Sequence, residues 1–174
     1  MPTIGVAVAI PEPWATQLQD YRTSVGDTTA AMIPTHITLV PPTEIDDVHL
    51  PEVEKHLEET AAEGDTFCVH LRGTGTFRPV SPVVFVTLVE GISQCEQLAL
   101  SVRRGPLDVD LHYPYHPHVT IAHHLDDHQL DRAFEELADF ECEFDVSGFH
   151  LYVHDPETGW RPTREFPLQA AAAG

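Results

Sequence analysis

One tetrapeptide pattern, His-x-Thr-x, occurs twice in this chain and constrains its fold more than any other feature. The copies are His36-Ile37-Thr38-Leu39 and His118-Val119-Thr120-Ile121, 82 residues apart in a chain of 174. In each copy polar residues alternate with aliphatic ones, which is typical of a β-strand with one buried face. We therefore expect two similar strands in two similar halves, each with its His and Thr on one face and its aliphatic pair in a core.

The four polar side chains of the two motifs suit one kind of chemistry. An imidazole has an ordinary pKa of about 6.5, so two histidines can supply one general base and one general acid near neutral pH. Threonine hydroxyls can donate hydrogen bonds to the non-bridging oxygens of a phosphoryl group. We therefore expect His36, Thr38, His118 and Thr120 to form a site that cleaves a phosphodiester without a metal ion. The structural alternative is a pair of ordinary half-buried strands.

The charge balance limits the class of substrate. The chain has 28 Asp plus Glu residues against 9 Lys plus Arg, which gives a formal net charge of −19. A charge of this sign and size repels a long polyphosphate, so we expect a small phosphate ester or an RNA end as substrate and no long nucleic acid as partner. Such an acid excess also suits a cytoplasm of high salt concentration.

Other features of the sequence predict a cytoplasmic monomer that does not associate with membranes. The first residues lack the basic segment of a secretion signal, and no apolar run approaches the roughly 18 residues of a membrane helix. Cys68, Cys95 and Cys142 are widely spaced and form no CxxC pair, as expected of reduced and mostly buried thiols. We expect one domain over residues 1–174, with a frayed tail from about residue 170.

Hydrophobic periodicity and turn residues predict an α+β fold. The predicted strands cover residues 3–10, 35–40, 67–73, 83–89, 117–122, 142–146, 149–154 and 164–168. The predicted helices cover residues 13–25, 50–63, 92–104 and about 127–139. Proline lacks a backbone donor, so Pro41-Pro42 is expected to end the first motif strand. Leu130, Phe134 and Leu137 are expected to form the buried stripe of the last helix, capped by Asp126 or Asp127.

The doubled motif, with a helix after each motif strand in a chain of this size, resembles the 2H phosphoesterase superfamily and in particular its 2′-5′ RNA ligase-like (LigT-type) branch. The likeness covers most of the chain and includes residues 34–40 and 115–122. It implies a bilobal α+β fold with two antiparallel sheets related by a pseudo-twofold axis, outer helices and a central cleft where the motifs meet.

The resemblance also implies an activity. Members of this superfamily open cyclic phosphodiesters, such as nucleoside 2′,3′-cyclic phosphates or ADP-ribose 1″,2″-cyclic phosphate, and some join or split 2′-5′ RNA linkages. They do so without a metal, so no cofactor is expected. By this resemblance, His36 and His118 are the acid and base in unassigned order, and Thr38 and Thr120 hold the phosphate.

The sequence departs from many relatives just after the second motif. There they carry Arg or Lys, whereas this chain has Ala122 followed by His123-His124. A protonated histidine can bond phosphate, but it is a weaker and pH-dependent substitute, so hydrolysis of a small ester is favoured over RNA ligation. We expect His123 to bind substrate, with Tyr115, Phe77 and Tyr152 as candidate surfaces for stacking on a base.

Two other functions remain open at this point. One is zinc binding, because six histidines lie close in sequence, at His112, His116, His118, His123, His124 and His128. Against it, the threonines would have no clear role, and the first motif offers only His36. The other is a nucleotide-binding module without turnover, although the presence of both His and both Thr favours catalysis.

Overall fold

The computed structural model describes residues 1–170, so nearly all of the tail predicted from about residue 170 lies outside the described residues. Strands and helices alternate along the chain. In order they are β1 (Thr3–Ala9), α1 (Trp14–Val25), β2 (His36–Glu44), α2 (Leu50–Glu63), β3 (Phe67–Thr76), β4 (Val83–Glu90), α3 (Ile92–Val102), β5 (His118–His123), α4 (Asp127–Glu136), β6 (Glu141–Val146), β7 (Gly148–Asp155) and β8 (Gly159–Pro167).

The strands form two antiparallel sheets of four strands each. Their orders are β2-β1-β7-β8 and β5-β4-β3-β6, so each motif strand lies at the edge of its own sheet. The two edge strands, β2 and β5, contact each other. The expected α+β fold with two antiparallel sheets in two lobes is confirmed, and the two motifs lie where the lobes meet.

Two helices cross between the lobes. Helix α1 follows β1 in sequence but packs against β5, whereas α3 follows β4 but packs against β2. Each motif strand is therefore supported by a helix from the other half of the chain. Leu18 of α1 and Val102 of α3 are fully buried in one continuous apolar core that both sheets share.

Each motif strand carries one extra residue directly after its threonine. The extra residue is Leu39 in β2 and Ile121 in β5, and the strand pairing shifts by one position at each. Because a β-bulge of this kind reverses the alternation of side chains, two consecutive residues of each strand are buried. After the second bulge, the next half-buried side chain is His123, which returns to the face of His118 and Thr120.

Two predicted strand limits were wrong, and proline is the reason in both. β2 continues through Pro41-Pro42 to Glu44, because β2 is an edge strand whose pairing with β1 passes directly from Val40 to Thr43. β8 begins at Gly159 rather than at residue 164, since it also lies at a sheet edge, where Pro162 is tolerated at a shift of register. Trp160 therefore belongs to a strand and not to a turn.

The last helix is shorter than predicted. α4 ends at Glu136, and Ala133 rather than Phe134 accompanies Leu130 on its buried face. Phe134 is 38% exposed, so its predicted burial is wrong. Asp126 is the cap, since its carboxylate accepts from the Gln129 backbone N–H while the Gln129 side chain accepts from the Asp126 N–H.

Two further features bear on the sequence predictions. The three cysteines are free thiols, with Cys95 and Cys142 buried and Cys68 partly exposed. Over residues 1–170, the helices lack the combination of length and apolar character that crossing a membrane requires.

Candidate active site

The structure brings the four motif residues onto two neighbouring strands. His36 and Thr38 on β2, and His118 and Thr120 on β5, are all half-buried, whereas the aliphatic residues between them are fully buried. The charge of His36 also influences the pKa of His118, so the two rings lie within electrostatic reach of each other. This arrangement follows from the location of both motif strands at sheet edges that meet.

Both motif histidines are held by the same local hydrogen bond. Nδ1 of His36 lies 2.6 Å from the carbonyl oxygen of Pro34, and Nδ1 of His118 lies 2.7 Å from that of His116. Since a carbonyl oxygen only accepts, Nδ1 carries the proton and donates it in each ring. In the neutral imidazole, Nε2 then has a free lone pair, so each ring offers Nε2 for proton transfer.

Burial shifts the pKa of both histidines downward. It lowers the pKa of His118 to about 4, against the opposing effect of the bond to the His116 carbonyl; the nearby His116, His36 and His123 lower it further. Burial also lowers the pKa of His36, and the positive charge of Arg22 adds to this effect. The pKa of each ring therefore lies below the ordinary value of an imidazole, which favours the neutral form of both rings at neutral pH in the free protein.

Two phenylalanines fix the His118 ring. The Phe77 ring stands perpendicular to it with centroids 4.9 Å apart, and the Phe85 centroid lies 5.2 Å away. Phe85 in turn covers Gly75 on β3, where a Cβ would lie only 2.7 Å from the Phe85 ring. Phe77, named above as a surface for the substrate base, thus packs against a motif histidine.

Tyr115 connects the two motif strands. It precedes β5, and its hydroxyl donates to the Thr38 carbonyl on β2 at 2.7 Å. The Arg103 guanidinium lies 5.2 Å from the centre of the Tyr115 ring, and its Nη1 donates to the Leu39 carbonyl at 3.4 Å. Burial raises the pKa of Tyr115, so its hydroxyl remains a donor. Tyr115, also a candidate stacking residue, is therefore engaged in joining the lobes.

An aromatic cavity lies beside the first motif. Its volume is about 90 Å³, and its lining includes His36, Thr38, Tyr152 and Trp160. The other lining residues are Gly5, Ile33, Pro34, Val40 and Pro42, so within the described chain the lining contains no Asp, Glu, Lys or Arg. Tyr152 was among the predicted substrate-binding residues. Trp160 was missed because Pro162 concealed the start of β8.

His123 lies at the end of β5 in a charged environment. Its ring stacks on His124 at 3.6 Å between centroids, and His124 has a left-handed backbone with φ of 56°. Burial lowers the pKa of His123, as do His124 and Arg22, whereas Asp27 raises it. Arg22 and Asp27 form a buried ion pair at 2.7 Å.

The six histidines of the zinc hypothesis do not form a group of three with ligand atoms close together. Over residues 1–170, the one group of three or more metal-binding side chains whose ligand atoms all lie within 4.8 Å of one another is Cys68, Glu90 and Glu143, on β3, β4 and β6. A separate cavity of about 660 Å³ between α2 and α3 contains no motif residue. Among the described residues, the group of three metal-binding side chains thus lies apart from the place where β2 meets β5.

Comparison with known sequences indicates the family of this chain. Residues 10–158 match the family described as the 2′-5′ RNA ligase superfamily. A protein of Oceanobacillus iheyensis named "Putative phosphoesterase" is 30% identical over 121 residues, which are 70% of this chain and 66% of that protein. A protein of the same description from Geobacillus is 30% identical over 149 residues, covering 83% of this chain and 86% of its own.

Solved structures show the same fold. A protein of Thermus thermophilus superposes with a TM-score of 0.69 at 23% identity, and E. coli LigT crystallised with 3′-AMP does so with 0.66 at 17%. In both cases 97% of this chain and 99% of the other are covered. With the family match over residues 10–158, the chain belongs to the 2′-5′ RNA ligase superfamily, the 2H phosphoesterases.

Proposed function

We propose that this protein is a metal-independent phosphoesterase that hydrolyses a cyclic phosphodiester, with His36 and His118 as its acid-base pair. The observation that carries the proposal is the matched orientation of the two rings. Each donates Nδ1–H to the carbonyl two residues earlier, and each leaves Nε2 for proton transfer on strands that contact each other. A structural pair of histidines would not need the same tautomer.

In the proposed reaction, water attacks phosphorus in line with the departing ribose oxygen. One imidazole takes a proton from the water as its oxygen bonds to phosphorus. The other gives a proton to the ribose oxygen as the P–O bond breaks. Thr38 and Thr120 donate hydrogen bonds to the non-bridging oxygens, where charge increases, and loss of one such donor typically costs on the order of a hundredfold in rate.

The cavity beside His36 supports an assignment of the two roles. At about 90 Å³ the cavity is too small to enclose a nucleoside, but its aromatic walls, Tyr152 and Trp160, and its uncharged lining offer a surface on which a nucleobase could stack. If the nucleoside lies there, the departing ribose oxygen lies near His36 and the attacking water near His118. His36 then acts as the acid and His118 as the base.

A neutral imidazole can act as the acid only after it takes up a proton. Burial keeps the pKa of His36 below its ordinary value, but a bound phosphodiester brings a negative charge next to the ring and raises that pKa. Substrate binding and protonation of His36 are therefore coupled in this proposal: the charge of the bound substrate allows His36 to take up the proton that it later donates.

A small nucleotide is the proposed class of substrate. LigT, which shares this fold, has been crystallised with 3′-AMP, ATP and NADP+. The net charge of −19 disfavours a long polyanion. A nucleoside 2′,3′-cyclic phosphate, an RNA end or an ADP-ribose cyclic phosphate fits both observations.

The experiment is incubation of the protein in EDTA with nucleoside 2′,3′-cyclic phosphates, ADP-ribose 1″,2″-cyclic phosphate and 2′-5′ dinucleotides, with products separated as 2′- or 3′-phosphates. We expect ring opening of a cyclic phosphate, with His36→Ala and His118→Ala each reducing turnover by about 10² to 10⁴. His128→Ala, which removes an exposed histidine, is the control and should leave turnover unchanged. Cleavage of the 2′-5′ dinucleotides alone, or activity that requires added zinc, would contradict the proposal.

A further inference from the structure

The buried ion pair of Arg22 and Asp27 is the feature that the proposed reaction does not yet use. Arg22 is 3% exposed and Asp27 is 7% exposed. Nε and Nη2 of Arg22 both donate to Oδ2 of Asp27, at 3.1 and 2.7 Å, and Oδ1 of Asp27 accepts from the Thr29 N–H and hydroxyl. A buried ion pair stabilises a fold little compared with apolar packing, so its location is the more informative property.

The pair lies on the helix that packs against the second motif strand and in the loop that follows this helix. Arg22 belongs to α1, which packs against β5. The same helix is bonded to the entry of β2, because the Thr35 hydroxyl donates to the Ala15 carbonyl at 2.8 Å. The bulge in β5 turns His123 back to the face of His118, and the pKa of His123 responds to both Arg22 and Asp27.

One nitrogen of Arg22 remains available to a ligand. Within residues 1–170, Nη1 has no hydrogen-bond partner, whereas Nε and Nη2 are fixed by Asp27. Nη1 is not fully buried either. In the described part of the chain, the side-chain nitrogens and oxygens that are both fully buried and without a hydrogen-bond partner are Tyr21 Oη and His150 Nδ1, and Nη1 is not one of them. Asp27 thus holds the guanidinium in one orientation while a further donor stays open.

We propose that Arg22, oriented by Asp27, is the fixed cation of the phosphate site and takes the place of a cation on β5. This inference rests on the proposed function and assigns the residue that positions the phosphate group. A guanidinium attracts phosphate strongly when it is shielded from water, and its charge, unlike that of His123, does not depend on pH.

Other charged and titratable groups surround the junction of the two motif strands. His116, His118, His123 and His124 belong to β5 and its flanks, and Arg103 reaches the Leu39 carbonyl from α3. His36 faces them from β2. Because Arg22 lowers the pKa of His36 and His123, removal of its charge should raise the pKa of both rings.

The experiment combines binding of inorganic phosphate with NMR titration of the histidine rings, so that neither readout needs turnover. Arg22→Gln should weaken phosphate binding about tenfold or more, as expected for loss of a charge-assisted hydrogen bond, and should raise the pKa of His36 and His123. Asp27→Asn should shift the pKa of His123 in the opposite direction, since a negative charge is lost while Arg22 remains. Arg164→Gln, which removes a surface pair with Glu58, should change neither readout.

The double variant Arg22→Gln/Asp27→Asn protects the test against misfolding, because it replaces the buried ion pair with two neutral amides and leaves no unpaired charge in the core. It should keep the thermal unfolding transition but lose phosphate affinity. Wild-type phosphate affinity together with wild-type titration of His36 would overturn the inference. If these shifts occur while no cyclic phosphodiester is hydrolysed, the cation site stands and the proposed function fails.

Discussion

At the scale of single residues, a backbone oxygen decides which nitrogen of each motif histidine is available for chemistry. Pro34 and His116 each lie two positions before a motif histidine, and each accepts the Nδ1 proton of that ring. The tautomer is therefore set by the chain next to the histidine and not by a distant carboxylate. Both rings are held by the same kind of hydrogen bond, so in the proposed reaction only their surroundings distinguish the acid from the base.

The assignment of roles can be tested with the leaving group. A 4-nitrophenolate departs with little need for protonation, so a nucleotide diester of 4-nitrophenol should depend weakly on the general acid. We expect His36→Ala to lose much less activity with this ester than with a cyclic phosphate, and His118→Ala to lose activity with both. Steady-state rates on the two substrates give the comparison. The reverse pattern would exchange the two roles.

At the scale of secondary-structure elements, the hydroxyl of Tyr115 holds the strand that carries Thr38. Tyr115→Phe removes the 2.7 Å bond across the lobes and leaves the ring in place. We expect turnover to fall about tenfold with little change in KM, and stability to fall by about 1 kcal/mol. Steady-state kinetics and urea unfolding measure the two effects.

Tyr113→Phe provides a matched control for that variant. Tyr113 lies in the same segment but is 67% exposed, so loss of its hydroxyl should alter neither turnover nor stability. Unchanged turnover in Tyr115→Phe would mean that the pairing of Thr38 with Ala7 on β1 is sufficient to position the threonine.

Much of this arrangement could be predicted from the sequence, and the exceptions have a common cause. Periodicity located the strands, the repeated motif predicted two similar halves, and the family resemblance implied two lobes. Periodicity could not predict the bulges at Leu39 and Ile121. Two consecutive buried aliphatic residues break the alternation, and in a sequence this break cannot be told from the end of a strand. Edge strands also tolerate proline, so Pro41-Pro42 and Pro162 fell within strands, and Trp160 was missed.

The candidate site shows the same limit. The motif residues were predicted from a repeated pattern and from the family resemblance, whereas Arg22 and Asp27 are five positions apart in a helix and loop that carry no recognisable motif. Their connection to His123 exists only through the packing of α1 against β5. Likewise, sequence reasoning gave the histidines ordinary pKa values, because burial of a side chain in a cleft depends on both lobes.

At the scale of the whole molecule, the lowered pKa of His118 makes stability depend on pH. In the unfolded chain the ring titrates at about 6.5, whereas in the folded protein it titrates at about 4. Between these values only the unfolded state binds the proton, so the free energy of unfolding should fall as pH falls from about 6.5 to 4. The folded protein thus becomes less stable below this window, where the buried ring must take up a proton.

Urea unfolding of His118→Asn at several pH values measures this effect. As pH falls through the window, the free energy of unfolding should fall more for the wild type than for the variant, because only the wild type has the buried ring. His154→Asn, at an exposed position on β7, should show a constant difference from the wild type. Parallel pH dependence in wild type and His118→Asn would contradict the lowered pKa.

The net charge of −19 predicts an unusual dependence on salt. An anionic substrate is repelled at long range, so added salt should raise kcat/KM through screening, within the range where salt does not compete for the phosphate site. The increase should be larger for an RNA oligomer with a 2′,3′-cyclic phosphate end than for a mononucleotide. Rates in 20 to 200 mM NaCl measure the effect, and a decrease for both substrates would contradict it.

The crossing of α1 and α3 between the lobes makes the two halves inseparable. A chain cut in the turn between β3 and β4 would leave one motif on each fragment, but the first fragment would lack β7 and β8, and the second would lack β3. The first fragment would also lack α3, which packs against β2, and the second would lack α1, so that only α4 would remain against β5. Such fragments are suited to complementation, in which recovery of the proposed activity would report their reassembly.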